Sequence, residues 1–257
     1  MHPLRTALLS LSCLIAVPAI GEDLPSFGDS SSGIVSQREE RELGHAYLSI
    51  IRGQTAQIPD PLLKNYLEDT VYRLAESSQV QDPRFSFILL KSPQLNAFAA
   101  PGGIIGVNGG LFLYAQNEGE FASVLAHELA HLSQRHFARG LEARQQMQIP
   151  MMAAMLGGII AMAAGAGDAG VAAIASSQAA AMQAQQRFSR QNEQEADRIG
   201  MQTLGNAGYD PRSMPDMFNR LMSQYRYNSK PPEFLMSHPV TESRIADTRN
   251  RAEQYPA

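Results

Sequence analysis

Apolar residues recur at helical spacing near the start of the chain, in residues 38–52 and again in residues 61–77. Each segment predicts a scaffold helix. Residues 85–90 then form an apolar run typical of a strand, and residues 96–99 and 104–107 flank a Pro-Gly-Gly turn, which indicates a β-hairpin. The helical pattern resumes after the hairpin and continues almost to the end. We therefore expect an α+β fold that is mainly helical, with a small β-sheet.

The first 21 residues are typical of a secretory signal peptide. Arg5 precedes an apolar run at residues 7–17, and small residues precede a predicted cleavage after Gly21. The run is too short for a membrane anchor, and the residues before Cys13 fit a lipoprotein signal poorly. We expect export to the periplasm, with Cys13, the single cysteine of the sequence, lost together with the signal.

The composition is that of a folded globular protein, with 44% hydrophobic and 18% charged residues. A formal net charge of −4 lacks the basic excess with which nucleic-acid binders neutralise phosphates, so we expect no nucleic-acid partner. One cysteine excludes both a disulfide framework and a cysteine-ligated zinc site. Residues 22–36 are predicted to form a flexible leader, followed by one domain at residues 37–257.

The sequence His127-Glu128-Leu129-Ala130-His131 lies in a predicted helix that begins at a capping box, residues 117–120. Residues four apart project from one helical face, so the two imidazoles can bind one zinc ion. Glu128 lies about 100° round the helix, where it can accept a proton from an attacking water. This HExxH arrangement predicts a hydrolase with one Zn²⁺ per chain, and a pair of helix histidines without metal is the alternative.

A catalytic zinc ion needs a third protein ligand, and the best candidate lies downstream. Glu193 and Asp197 are four residues apart and share a helical face, whereas Glu195 points about 200° away from Glu193. We expect Glu193 to ligate and Asp197 to orient a ligand histidine, because zinc-bound imidazoles usually donate their other N–H to a carboxylate. The alternative is a solvated charged face. His136, about 180° round the helix from His127, is predicted to be a surface or packing residue outside the site.

These motifs, together with the hairpin and a late Ser237-His238-Pro239, resemble those of the HtpX-like and CAAX-prenyl-protease-like zinc metallopeptidases. The likeness spans nearly all of the predicted mature chain. It implies a zincin-type metallopeptidase domain with a small sheet beside the HExxH helix. It also implies a site in which zinc is held by His127, His131 and Glu193, with Glu128 as the catalytic residue and Asp197 in a supporting role.

Residues 59–63, 192–200 and 249–252 resemble the periplasmic members of that family that cut misassembled outer-membrane proteins. This likeness implies unfolded or misassembled envelope proteins as substrates and the β-barrel assembly machinery as a partner. Such relatives continue into tetratricopeptide repeats, whereas this sequence has no internal repeat and stops at Ala257. A periplasmic chaperone or adaptor with a structural zinc site is the alternative to an endopeptidase.

The predicted hairpin lies beside the active helix and supplies an edge strand, Asn96-Ala97-Phe98-Ala99. A substrate bound there as an added strand is held through its backbone, which implies broad sequence tolerance and a need for extended, unfolded stretches. His238 precedes a proline and is expected on a loop that reaches inward. It can cap the loop, hydrogen-bond the oxyanion, or occupy the open zinc position and keep the enzyme latent, and we favour latency.

Residues 145–186 are rich in Ala, Gly and Met, and residues 145–167 carry no charge. A membrane hairpin is one interpretation, but Ala and Gly gain little from lipid. We expect instead a flexible pair of helices that acts as a lid or a client-binding surface, since methionine side chains adapt to varied partners. Peripheral membrane contact is the remaining alternative.

Overall fold

The computed structural model describes residues 35–227 and 231–256. The predicted signal peptide and residues 22–34 of the predicted leader lie outside the described residues. The last two leader residues belong to the folded domain. Val35 is buried and its carbonyl accepts a hydrogen bond from Arg135, while Ser36 and Glu39 form a reciprocal capping box at the start of the first helix.

Nine helices and three strands make up the described part of the chain. In order they are α1 (Gln37–Gln54), α2 (Pro61–Glu76), β1 (Ser86–Leu90), β2 (Ala97–Ala100), β3 (Ile104–Asn108), α3 (Gly109–Tyr114), α4 (Glu118–Ser133), α5 (His136–Ala163), α6 (Gly167–Asn206), α7 (Ser213–Tyr227), α8 (Glu233–Ser237) and α9 (Glu242–Ala252). The predicted fold class, mainly helical with a small sheet, is confirmed.

The three strands form a mixed sheet in the order β1-β3-β2, with β1 parallel and β2 antiparallel to β3. The hairpin turn between β2 and β3 needs two glycines, because Gly102 and Gly103 both have φ near +80°. The N–H of Asn108 donates to Asn96 O, so alternate backbone groups on β2 face β3. The backbone groups of Ala97 and Ala99 therefore face away from β3, toward α4.

Helix α4 is the centre of the domain. Its residues from Glu120 to Ala130 are all buried, against α2, α6, α7 and β2. The backbones of α4 and α6 come close at Gly200, where a Cβ atom would lie 3.1 Å from the amide nitrogen of His127. A glycine at this position lets α6 present its side chains directly to the HExxH segment of α4.

Most of the apolar stripe that predicts α1 faces away from the core, although Ile51 packs against it. Leu43, Tyr47 and Ile50 are more than 40% exposed, whereas Gly44 and Leu48 are buried. The buried side is set by the hairpin turn, which lies so close to Gly44 that a side chain there would collide with the turn's backbone. Burial along α1 is therefore centred on Gly44 and Leu48, where the hairpin turn approaches, and not on the exposed part of the stripe.

Helix α5 and the first half of α6 form the predicted helix pair, joined by a short turn at Gly165. Their backbones lie close together at Gly158 and Gly170. Of the described helices, α5 alone is long and apolar enough to span a membrane, a property that core helices of soluble proteins share. It carries a stripe of exposed apolar side chains, namely Ile149, Met152, Leu156, Ile159 and Ile160. The function of residues 145–186 as a lid or client-binding surface stays a prediction.

Candidate metal centre and active site

Four side chains converge beside the middle of α4. His127 and His131 lie on α4, Glu193 on α6, and His238 directly after α8. Each offers one nitrogen or carboxylate oxygen, and these atoms all lie within 4.8 Å of one another. The structure therefore brings the three predicted ligands together with His238, and the four form a group that can hold a metal ion.

The spacing of the four donor atoms fits a tetrahedral metal site. The Nε2 atoms of His127 and His131 are 3.0 Å apart, and Glu193 oxygens lie 3.5 Å from each. His238 Nδ1 lies 3.4 Å from His127 Nε2 and 3.1 Å from Glu193 Oε1. Ligands about 2.0 to 2.1 Å from a tetrahedral ion are about 3.3 Å apart. The observed separations lie around this value, and a mixed set of imidazole and carboxylate donors suits a divalent transition metal.

Asp197 on α6 and Arg244 on α9 lie next to the metal group. Asp197 Oδ1 lies 3.0 Å from His127 Nδ1, where a carboxylate would orient that imidazole. Arg244, buried on α9, donates to both Asp197 oxygens at 2.7 and 2.6 Å, and to Glu193 Oε2 at 2.8 Å. One guanidinium thus holds two carboxylates of the site and compensates their buried charge.

The charges of the group depend on each other. Burial lowers the pKa of His127, but its contacts with Asp197 and Glu193 outweigh burial and raise that pKa to about 9. Burial raises the pKa of Glu193, yet His127 and His238 hold it well below its usual range. Because only a neutral imidazole can ligate, these contacts make protonation of His127 compete with metal binding.

Glu128 stands next to the metal group without belonging to it. Its Oε2 accepts a hydrogen bond of 2.9 Å from the N–H of Ala99 on β2. Its Oε1 is buried, makes no hydrogen bond within the described residues, and lies 3.5 Å from His238 Nε2. Burial raises the pKa of Glu128 above its ordinary value. A carboxylate with a raised pKa and one unused oxygen has the properties of a proton acceptor.

A cleft of about 540 Å³ opens beside these groups. Tyr47 of α1 and Phe98 of β2 line it, with their rings edge to face at 6.1 Å. Glu128, His131 and His238 also line it. The cleft runs along the predicted substrate strand, of which Asn96, Phe98 and Ala99 are lining residues. Ala97 is fully buried and does not line it.

The segment that carries His238 is attached to the same strand. Glu233 at the start of α8 accepts hydrogen bonds from Asn96 at 3.4 Å and from Asn108 at 3.0 Å. The His238 ring lies on Phe234, with ring centroids 4.8 Å apart. His238 thus follows a short helix and reaches inward as predicted, while its three predicted roles stay open.

The prediction for His136 assumes that α4 continues past His136, whereas this helix ends before it. Helix α4 ends at Ser133, and Arg135 adopts a left-handed conformation with φ of 50° before α5 begins at His136. The turn brings His136 back to the site, where it is buried and its Nδ1 lies 2.8 Å from His131 Nδ1. It stays outside the four-residue metal group and is buried, which fits the predicted packing residue, but it lies beside His131 and not on the opposite side of an extended helix.

Glu195 lies outside the four-residue metal group and contacts residues of α5. Its Oε2 is 3.1 Å from His136 Nε2 and accepts a hydrogen bond of 2.9 Å from Arg139. Burial alone would raise the pKa of Glu195, but His136 and Arg139 lower it to about 2. The carboxylate is therefore ionised and connected to His131 through one imidazole.

A comparison with known families identifies the domain. The sequence model of peptidase family M48 matches residues 61–252, which includes every member of the metal group. The chain belongs to peptidase family M48. The metallopeptidase family that the motifs resemble is thus confirmed for this M48 domain.

Three curated relatives show how the M48 domain compares. The β-barrel assembly-enhancing protease of Escherichia coli K12 is 39% identical over 95% of this chain and 52% of its own length. The mitochondrial metalloendopeptidase OMA1 of Schizosaccharomyces pombe is 27% identical over 80% of this chain and 59% of its own length. The protease HtpX of Shewanella loihica is 35% identical over 29% of this chain and 26% of its own length. The chain spans about half the length of the first of these relatives.

Proposed function

We propose that this M48 domain is a zinc-dependent endopeptidase that cuts unfolded or misassembled envelope proteins in the periplasm. The observation that carries the proposal is the position of Glu128, which lies between the metal group and the edge of β2. The same carboxylate touches the strand on which a peptide can pair and the site at which a metal ion can bind. This juxtaposition is what peptide hydrolysis requires.

Zinc, when bound, would polarise the scissile carbonyl and make a water molecule more acidic. Glu128 then accepts the proton of the attacking water and returns it to the leaving amine. A substrate strand that pairs with β2 takes over the N–H of Ala99, which now donates to Glu128. Substrate binding would thereby release the second oxygen of Glu128 for proton transfer.

Location and substrates are proposed from the leader and from the relatives' names. The predicted signal peptide, cleaved after Gly21, supports the periplasm. Relatives that cover the whole domain are named β-barrel assembly-enhancing proteases, which supports misassembled outer-membrane proteins as substrates and the β-barrel assembly machinery as a partner. The exposed apolar stripe on α5 supports contact with unfolded chains, which expose apolar residues.

The proposal predicts that purified residues 22–257 digest casein only with metal bound. Removing the metal with a chelator should abolish release of acid-soluble peptides, and one equivalent of Zn²⁺ should restore it. Magnesium at the same concentration should not restore it, because imidazole ligands favour transition metals. Cleavage that continues in the metal-free protein would show that the reaction does not require the metal group.

The second candidate function is a chaperone or adaptor with a structural zinc site. The position of His238 favours it, because four protein donors close a zinc site as they do in structural sites. A latent protease has the same geometry, since His238 would then occupy the position that water or substrate needs. The two functions differ in what happens when His238 is removed.

If His238 keeps a protease latent, His238→Ala should retain its zinc and cleave casein faster than the parent. Cleavage that falls about 100-fold with zinc retained would assign His238 to the oxyanion instead. Loss of zinc, with no cleavage by the parent or the variant, would favour the structural site. The exposed His45 on α1 provides the matched control, because His45→Ala should change neither zinc content nor cleavage rate.

A further inference from the structure

A chain of polar contacts leads from the metal group away from Asp197. His131 presents Nε2 to the metal group and Nδ1 to His136, at 2.8 Å from the Nδ1 of that ring. His136 Nε2 lies 3.1 Å from Glu195 Oε2, which also accepts from Arg139. The side chain of His136 is 5% exposed and that of Glu195 is 15% exposed, so water competes little for these contacts.

The direction of each hydrogen bond in this chain of contacts follows from Glu195, the residue at its end. Glu195, paired with Arg139, is an ionised carboxylate and can only accept, so His136 must carry a proton on Nε2. A neutral His136 then has a lone pair on Nδ1 and accepts the proton that His131 carries on its own Nδ1. With its proton on Nδ1, His131 has a lone pair on Nε2, the atom that belongs to the metal group.

We propose that His136 and Glu195 are positioning residues that fix the tautomer and orientation of His131 for metal binding. This inference rests on the proposed function, because it assumes that the group binds zinc. Asp197 Oδ1 lies directly beside His127 Nδ1, at 3.0 Å, whereas His131 reaches a carboxylate through a second imidazole. Arg139 completes the chain by holding Glu195 in place.

The test is the zinc dissociation constant, measured by competition with a chromophoric chelator. His136→Phe keeps the ring volume but removes the acceptor, and it should raise the dissociation constant about 10-fold to 100-fold, as changes behind a metal ligand do. In His136→Asn, the amide oxygen can occupy the place of Nδ1 and accept from His131. This variant should bind zinc within about threefold of the parent, because the acceptor is what His131 needs.

A second measurement reads the tautomer itself. In the zinc-loaded parent, ¹⁵N spectra of His131 should show a protonated Nδ1 and a metal-bound Nε2. His136→Phe should broaden or shift these signals, whereas His45→Phe on the exposed face of α1 should not. If His136→Phe does not fold, Glu195→Ala serves in its place and should also weaken zinc binding, with His136→Asn as the rescued comparison.

Equal zinc affinity in the parent and in His136→Phe, or in Glu195→Ala where that variant replaces it, would overturn the inference. An equal loss of zinc affinity in His136→Phe and in His136→Asn would overturn it as well. Such a result would mean that the hydrogen-bond acceptor makes no difference and that His136 acts through packing alone. These outcomes leave the proposed function intact if the parent still digests casein. The parent and the two His136 variants could show the expected order of zinc affinities while the parent cleaves nothing. That result would overturn the protease function and keep the positioning role. A parent that binds no zinc overturns both.

Discussion

Glu128→Gln should abolish digestion of casein while the zinc content stays equal to that of the parent. The amide has nearly the same shape as the carboxylate, and its oxygen can still accept the N–H of Ala99. It cannot take a proton from water, however, and general acid–base catalysis contributes about 10²- to 10⁴-fold to rate. We expect the rate of peptide release to fall by at least that factor, with an unchanged melting temperature of the zinc-loaded protein.

The control is Glu76→Gln, which makes the same chemical change at an exposed position on α2. It should cleave at the parental rate. Zinc measured on the same samples separates lost chemistry from lost metal. Casein cleavage by Glu128→Gln within about tenfold of the parent would remove Glu128 from catalysis.

Arg244→Met should cause the largest loss of stability. The guanidinium is buried and is held by Asp197, by Glu193 and by the carbonyl of Pro239. Removing one partner of a buried ion pair typically costs about 3–5 kcal/mol, because the other charge is left uncompensated. In a domain of this size that corresponds to a melting temperature lower by about 6–20 °C. Zinc should then stabilise the variant less, since Glu193 and Asp197 lose their common support.

Two further substitutions define what Arg244 contributes. Arg244→Lys keeps the charge but cannot bridge two carboxylates in the same way, so its melting temperature should be intermediate. Arg249→Met changes an exposed arginine on the same helix and should melt within about 2 °C of the parent. Melting of Arg244→Met at the temperature of Arg249→Met would contradict the role of the buried network.

The parts of the site that could be predicted from sequence are those that one helix determines. His127, Glu128 and His131 occupy three positions of α4, and Glu193 and Asp197 occupy one face of α6. Helical periodicity fixes which of these side chains share a face, without knowledge of the remaining fold. The type of donor at each position then indicates a metal site.

The remaining parts depend on contacts that periodicity does not describe. Arg244 reaches α6 from α9, across 47 residues to Asp197, and no local spacing connects them. His136 depends on the left-handed Arg135, which ends the helical geometry from which its position was extrapolated. Helical spacing places Glu195 away from Glu193, but it does not show that α5 brings His136 and Arg139 to Glu195. The strand order β1-β3-β2 likewise depends on long-range pairing.

The two helices of the exposed pair differ in stiffness. Helix α5 contains Pro150, which removes a backbone hydrogen bond, and the flexible pair Gly157-Gly158. Helix α6 has neither glycine nor proline between Ile174 and Glu193, a distance of about 28 Å along its axis. Bending of the pair is therefore expected in α5, whereas the uninterrupted stretch of α6 should stay straight. The same helix carries Glu193, so a displacement of the first half of α6 would be transmitted to the metal group.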